Sequence, residues 1–259
     1  GSSVANMQMG GASLLDSGNY YFPGTVDDLR VYNRLLSSTE IAALYSTTSR
    51  IAKIKEELER GLITHWSLDD ATSTVATDSS GSGNSGTLTS GPAWIGGKQD
   101  KALSFDGVND HVVSTQIINT SATTISAWIK ISAYPSNNGL VAGFINGYGN
   151  LTHDKNLYIG TDGKLYFYVY DGATKTTSTP SAAVPLNQWV FVSGTADGAT
   201  VRTYVNGVQV GSVAAGATYT SYNVPNFFIQ GATGNVSFGG GLMSAMIDDV
   251  RLYNRALSS

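Results

Sequence analysis

The chain of 259 residues contains no cysteine, only six prolines and few charged residues, and these shortages exclude several kinds of protein. Without cysteine there is neither a disulfide framework nor a thiolate zinc site. With a net charge of −4 and no run of lysine or arginine, the chain lacks the basic surface that nucleic acids require. No stretch has the length and apolar content of a bilayer-spanning segment. We therefore expect no nucleic-acid partner and no membrane insertion.

Glycine and tyrosine are abundant instead, at 30 and 14 residues, and serine and threonine are frequent. β-Branched and aromatic side chains fit a pleated, half-buried surface, and glycine serves the turns between strands. Short alternating segments recur through most of the chain, which predicts a β-sandwich or jelly roll. A β-rich chain without cysteine is more typical of prokaryotic surface proteins than of small eukaryotic secreted domains.

One segment of thirteen residues occurs twice. Residues 247–259 read IDDVRLYNRALSS and residues 26–38 read VDDLRVYNRLLSS, so nine positions are identical and the other four stay apolar. Apolar and polar residues alternate through the first half, which predicts a strand with one buried face. The repeat indicates one complete unit preceded by the last part of another.

A helix is predicted after the first copy of this segment. Ser37 followed by Glu40 resembles a capping box, and residues 50–60 continue with basic and acidic residues at helical spacing. We interpret residues 50–60 as a solvated linker helix with ion pairs, the alternative being a helix that binds a partner. Gly61 ends this helix and begins the complete unit.

The complete unit carries a series of motifs, which are GLITHWSLD (61–69), DSSGSGNSGTL (78–88), ALSFDGVND (102–110), ISAWI (125–129), WVFV (189–192), YVNG (204–207) and IDDVRLYNRALS (247–258). In their sequence and order, these motifs resemble the laminin G-like (LamG, laminin G type 3) branch of the concanavalin A-like lectin/glucanase jelly-roll family. The resemblance implies an all-β fold, an antiparallel two-sheet jelly-roll sandwich with one short linker helix. It divides the chain into the C-terminal hairpin and helix of a preceding unit (1–45), a helical linker (46–60) and a complete domain (61–259).

Catalysis is not expected, because no matched acid/base pair is present. The three histidines are isolated, and the carboxylates of adjacent aspartates such as Asp248 and Asp249 point to opposite faces of a strand. All four glutamates fall in predicted helix, where they cannot serve the β-sandwich. The four are Glu40, Glu56, Glu57 and Glu59.

A sugar site needs an aromatic platform beside polar groups. Tyr166, Tyr168 and Tyr170 alternate with apolar residues, so we expect the apolar set in the core and the tyrosine row on an open face. Alternatively, the tyrosines simply favour strand structure. Trp94 is expected in a loop, as a plug or as a second platform. The other tryptophans of alternating segments, Trp66, Trp128 and Trp189, are predicted in the core.

Calcium is the cofactor that the family resemblance implies, and aspartate and asparagine oxygens suit it. One candidate pair, Asp106 and Asp110, brackets a turn, and another, Asp78 and Asn84, lies in a loop rich in glycine and serine. Asx-turns are the alternative for both pairs. Asp249 is a further candidate ligand, although a salt bridge to Arg251 is the favoured role there.

Two functions remain open. The first is a non-catalytic carbohydrate-binding or adhesive module of a larger secreted or cell-surface protein, whose partner is a polysaccharide or other glycan. The second is a structural repeat module of a surface protein or filament without a small ligand. In that case residues 1–45 mediate self-association, because an isolated hairpin is marginally stable and its apolar face needs cover.

Overall fold

The computed structural model describes residues 29–116, 120–145, 153–170, 175–215, 224–231 and 241–258. The chain divides into two compact units, Gly1–Ile54 and Lys55–Ser259. Within the described ranges there are sixteen strands and one helix, α1 (Ser38–Glu59). The strands are β1 (Leu62–Trp66), β2 (Val75–Ala76), β3 (Gly86–Thr89), β4 (Ala93–Gly96), β5 (Lys101–Asp106), β6 (His111–Thr115), β7 (Ala122–Lys130), β8 (Gly139–Ile145), β9 (His153–Ile159), β10 (Leu165–Tyr170), β11 (Lys175–Thr177), β12 (Val190–Asp197), β13 (Thr200–Val205), β14 (Val208–Ala214), β15 (Asn226–Ile229) and β16 (Ser244–Tyr253).

Two antiparallel sheets form the sandwich, as the sequence predicted. The first sheet has the order β14-β13-β12-β7-β16-β5-β4, with β1 also paired to β16. The second has the order β11-β10-β9-β8-β15-β6-β3-β2. The alternating apolar residues of both sheets meet between them in one core, in which the ring of Phe227 lies 5.3 Å from Trp66 and 5.1 Å from Phe144.

Strand β16 changes partners halfway along one edge. It pairs with β7 along one side, and on the other side with β5 through residues 244–247 and with β1 through residues 250–253. The register with β7 shifts between Asp248 and Arg251, where Asp249 has a φ of 49°. This bulge turns the two neighbouring carboxylates toward different parts of the molecule.

Helix α1 begins with the predicted capping box. Ser37 Oγ accepts from Glu40 N at 3.2 Å, and Glu40 Oε2 accepts from Ser37 N at 2.8 Å. The helix has 22 residues, so it is longer than the predicted short linker and continues without a break from the first motif copy to the complete domain. Among the residues that the structure describes, no helix combines the length and apolar content needed to cross a bilayer.

The two motif copies have different structures. The second copy is predicted correctly as a strand and lies in β16, with Val250 and Leu252 fully buried. The expectation of the same strand in the first copy is wrong for its described part, because residues 29–32 form no strand and Val31 is 70% exposed. A strand needs neighbours for its backbone groups, and none pairs with residues 29–32 in the described part of the chain. The rest of the predicted N-terminal hairpin, residues 1–28, lies outside the described residues.

The hairpin predicted at residues 201–211 is confirmed, because β13 and β14 pair around Asn206 and Gly207, both with positive φ. Of the three tryptophans predicted in the core, Trp66 is fully buried there. The prediction is wrong for Trp128 and Trp189, which are half-buried. Trp128 alternates with the core residues Ala127 and Ile129 and therefore lies on the outer face of the first sheet.

Contact between the sheets leads to a stability prediction. A Cβ atom added to Gly194 would lie 2.4 Å from the ring of Phe167 in the opposite sheet. We expect Gly194→Ala to lower the free energy of unfolding by about 1–3 kcal/mol, because overpacking forces the core to shift. Urea denaturation measures this change. Gly96→Ala is the control, since no atom lies within 4 Å of its added Cβ. Equal stability of the two variants would contradict this packing.

Candidate functional site

The predicted tyrosine row lies on the outer face of the second sheet. Leu165, Phe167 and Val169 point into the core, as the alternation required, so Tyr166, Tyr168 and Tyr170 point away from it. Trp94 belongs to the other sheet, because it lies in β4 at the edge of the first sheet. The structure therefore separates Trp94 from the tyrosines with which it was grouped.

Tyr166 is tied into the sheet surface. Its ring stacks on that of Tyr158, with centroids 5.2 Å apart and an interplanar angle of 13°. Its hydroxyl donates to Asp162 Oδ2 at 2.9 Å. Burial and this hydrogen bond to a carboxylate raise the pKa of Tyr166 to about 12. One face and the hydroxyl of the ring are thus committed to contacts within the protein.

The rest of the row does not form the open face that the sequence predicted. Tyr168 is buried and Tyr170 is half-buried. A second apolar cluster of Leu140, Ile145 and Phe228, separate from the core between the sheets, is also buried. Alternation identified the correct face of β10, but it carries no information about what covers that face.

Trp94 is a partly buried strand residue and not the loop residue that was expected. Its indole N–H donates to the carbonyl of Ser73 at 2.9 Å, and its ring packs against the main core. Of the two roles considered, these contacts favour a plug.

The acidic candidates for calcium are engaged by protein donors. Asp78 Oδ1 accepts from the backbone N–H groups of His65 and Ser80, at 2.9 and 3.0 Å, and Oδ2 accepts from Asn84 N at 2.9 Å. Burial raises the pKa of Asp78, but these donors outweigh it and hold the pKa below its usual value. The amide of Asn84 donates to the carbonyl of Ile63 at 2.9 Å. This pair fastens the loop to β1.

Asp106 and Asp110 form a turn of the kind considered as the alternative. Val108 N donates to Asp106 Oδ1 at 2.7 Å, which is an Asx-turn, and Asp106 N donates to Asp110 Oδ2 at 3.0 Å. Across the described ranges, no cluster of three or more histidine or acidic residues has the arrangement of a metal site.

Asp249 forms the salt bridge that the sequence favoured. Its Oδ1 accepts from Arg251 Nε at 3.0 Å and from His65 Nε2 at 2.7 Å. Burial raises the pKa of Asp249, but these two partners outweigh it and hold the pKa below its usual value. A cation would have to compete with a guanidinium at this oxygen. The contacts of the five candidates therefore do not fit a calcium site, and calcium binding stays a prediction.

A groove that sequence reasoning missed lies on the outer face of the first sheet. It has a volume of about 160 Å³. Its floor consists of Ser126 on β7 and of Ser193 and Thr195 on β12, which are 3%, 7% and 3% exposed. None of these three hydroxyls has a hydrogen-bond partner in the part of the chain that the structure describes. None of the three oxygens is among the buried unpartnered atoms of the described residues, so they are open to solvent and the groove offers three polar groups to a ligand.

Apolar groups form the walls of this hydroxyl groove, which we define by the three floor residues together with Phe191, Tyr204 and Leu257. Strand pairing places Tyr204 opposite Ser193. Leu257 reaches the groove because its N–H donates to Thr124 Oγ1 at 2.9 Å, which turns the segment after β16 back over β7. An aromatic and aliphatic rim thus surrounds a hydroxyl floor.

The floor residues alternate with core residues along β7 and β12. From the sequence alone, they are therefore indistinguishable from the polar outward-facing residues of any strand. Ser126 and Ser193 are brought together because β7 and β12 pair in the register Ser193↔Ser126. The alternation within each strand was visible in the sequence. The register between the two strands was not, and no signal in the sequence could have supplied it.

Aromatic and charged groups continue beyond the groove. The ring of Trp128 meets that of Phe191 edge-on at 5.4 Å, and Lys98 Nζ lies 4.8 Å from the centre of the Trp128 ring. The loop that carries Lys98 is held by Asp248, whose Oδ2 accepts from the N–H groups of Lys98 and Gln99 at 2.9 and 3.0 Å. Asp248 Oδ1 is buried and has no hydrogen-bond partner among the described residues.

This carboxylate makes stability depend on pH. Burial raises the pKa of Asp248 from 3.8 to about 6, despite the two N–H donors that favour the ionised form. Because the folded-state pKa is the higher one, the group favours folding most below about pH 4 and progressively less up to about pH 6. We expect Asp248→Asn to remove this decline. The free energies of unfolding of both proteins, measured across this range, should diverge as the pH rises. A constant difference would contradict the assignment.

Comparisons with known proteins agree with the fold. Similar solved structures include domain 4 of an extracellular GH43 arabinanase from Geobacillus stearothermophilus, in complex with arabinotriose, at 19% identity and a TM-score of 0.60. The match covers 76% of this chain and 94% of the arabinanase domain. A botulinum neurotoxin type C structure, whose cell entry depends on two ganglioside molecules, aligns at 14% identity with a TM-score of 0.60. A Trypanosoma rangeli sialidase aligns at 18% identity with a TM-score of 0.53.

The toxin match covers 79% of this chain but 50% of the toxin chain, and the sialidase match covers 77% and 31%. At these identities the similarity shows a shared fold. No curated protein matches the chain in sequence. A family model, described as the concanavalin A-like lectin/glucanases superfamily, matches residues 106–259, which include the hydroxyl groove. The chain belongs to the concanavalin A-like lectin/glucanases superfamily.

Proposed function

We propose that this protein is a non-catalytic carbohydrate-binding module and that the hydroxyl groove is its sugar site. The observation that carries the proposal is the set of three unpartnered hydroxyls on the buried residues Ser126, Ser193 and Thr195, beneath aromatic walls. A sugar ring presents hydroxyls at its rim and C–H groups on its faces. The groove offers matching hydrogen-bonding groups on its floor and apolar groups on its sides.

The size of the groove limits what it can hold. At about 160 Å³ it is smaller than the roughly 300–1,000 Å³ of sites for drug-sized ligands. One sugar residue, either terminal or a branch, is therefore the unit that it recognises. Further residues of a glycan would extend over Trp128, which lies next to Phe191 on the same face, and over Lys98, which lies above the Trp128 ring.

The contacts of the carboxylates support a non-catalytic role. Asp248 and Asp249 hold different partners, a backbone loop and the His65–Arg251 pair, so they do not converge on one bond. The four glutamates all lie outside the sandwich, in α1. We place the module in a larger secreted or cell-surface protein, as the extracellular arabinanase domain and the toxin suggest by analogy.

A structural repeat module is the second candidate function. It is supported by the two motif copies and by the exposure of apolar residues in the first one, including Leu29 at 52% and Val31 at 70%. In that role the N-terminal region assembles with another chain, and the hydroxyl groove has no ligand.

Removal of one floor hydroxyl tests the sugar site. After an array of plant, algal, bacterial and sialylated glycans has identified the best ligand, with arabinotriose and a sialylated oligosaccharide as first probes, calorimetry measures its affinity. We expect Ser193→Ala to weaken binding about 2- to 10-fold, the equivalent of one hydrogen bond. Stability should stay within about 0.5 kcal/mol of the parent protein, because this hydroxyl has no protein partner to lose.

Two controls make the result specific. Ser178→Ala removes a buried hydroxyl that accepts from Phe167 N at 2.9 Å, so it should lower stability by about 1–3 kcal/mol and leave affinity unchanged. Tyr166→Ala examines the tyrosine row. Loss of binding in Tyr166→Ala with normal binding in Ser193→Ala would move the site to the second sheet. An array without any bound glycan would overturn the function itself.

A further inference from the structure

Helix α1 carries a large share of the exposed apolar surface. Thirteen large apolar residues are exposed in the described ranges, and five of them lie in α1. Within α1, Ile51, Ile54 and Leu58 are 60%, 51% and 45% exposed. A contiguous apolar stripe of this kind on a protein surface marks an interaction site more often than chance exposure does.

The stripe has the spacing of a helix-pairing seam. Leu44, Thr47, Ile51, Ile54 and Leu58 follow one another at intervals of three, four, three and four residues. Such a 3.5-residue period places all five on one side of the helix, over a length of about 21 Å. Leu44, Ile51 and Leu58 occupy one seam position of the heptad, and Thr47 and Ile54 occupy the other.

Charged residues beside the seam determine the direction of pairing. Arg50 and Glu57 flank it on one side, seven residues apart, and Lys55 flanks it on the other. In a parallel pair, Arg50 of one helix faces Lys55 of the other, and the like charges repel. In an antiparallel pair, Arg50 of each helix faces Glu57 of the other. The two-fold axis makes this attraction occur twice.

The ion pairs around α1 leave Arg50 and Glu57 available for contacts with a second helix. Arg50 has no ion-pair partner in the part of the chain that the structure describes. Glu57 contacts Arg60 at 2.9 Å and Arg255 at 4.0 Å, but its own side chain is 62% exposed, so both contacts contribute little and can be exchanged. We propose that α1 pairs antiparallel with α1 of a second copy of this chain, burying the seam around Ile51 and Ile54.

Sedimentation equilibrium of the whole chain, over a wide range of concentration, tests the pairing. We expect a reversible dimer, and we expect Ile54→Asp to weaken it at least about tenfold, because the charge would be buried in the seam. Tyr45→Asp is the matched control. Tyr45 is 77% exposed and lies on the opposite side of α1 from Ile54, so this variant should dimerise normally.

Charge exchange tests the direction of the pair. Arg50→Glu alone and Glu57→Arg alone should each weaken self-association, and mixing the two variants should restore it, because both contacts between them are then attractive. A stronger dimer of Arg50→Glu would show parallel pairing and overturn the proposal. Circular dichroism checks that each variant keeps its helix and sheet signals.

Two further outcomes would also overturn it. One is a chain that stays monomeric at every concentration. The other is a dimer that survives Ile54→Asp but is lost on deletion of residues 1–28, which would assign assembly to the N-terminal motif copy. Glycan binding by a single groove does not require α1. A monomer that binds sugar would therefore refute the helix pair and leave the proposed function intact.

Discussion

Strand β16 exchanges backbone hydrogen bonds with β7 along one edge and with β5 and then β1 along the other. Among the described strands, β1 joins the first sheet only through β16. The bulge at Asp249 lies at the change of partner, and it places Asp248 against the loop of Lys98 while Asp249 meets His65. The first sheet, its outer face and the segment that closes the hydroxyl groove all depend on this one strand.

The two motif copies show that the strand structure of β16 depends on tertiary contacts and not on local sequence alone. Nearly the same residues form a buried strand in β16 and no strand at residues 29–32. The arginines also differ, since Arg255 donates to the carbonyl of Arg60 at 2.7 Å, whereas Arg34 pairs with Glu40 at 2.7 Å. The local sequence is compatible with a strand, but the strand forms only where neighbouring strands pair with it.

Sequence alone predicted the sandwich, the Asn206-Gly207 hairpin and the capping box of α1, because each depends on period or on neighbours a few residues apart. It also assigned the correct face to Tyr168 but not its burial, and it wrongly placed Trp128 in the core. Both errors concern which elements cover a face, and that depends on residues distant in sequence. The hydroxyl groove escaped prediction for the same reason, since it exists only through the register of β7 and β12.

The proposed sugar site would hold one sugar residue and so has few atoms with which to gain affinity, and a single site of this size binds weakly. Linking two such sites converts the second binding event into an intramolecular one, and avidity can exceed the single affinity by about 10²–10⁴ where both sites reach the same surface. The seam on α1 would supply that link without altering the groove, because the helix contributes no residue to it. Sugar recognition and the number of linked sites would then depend on separate elements. Strands β7 and β12 fix the positions of the three hydroxyls, and helix α1 would determine how many copies of the chain act together.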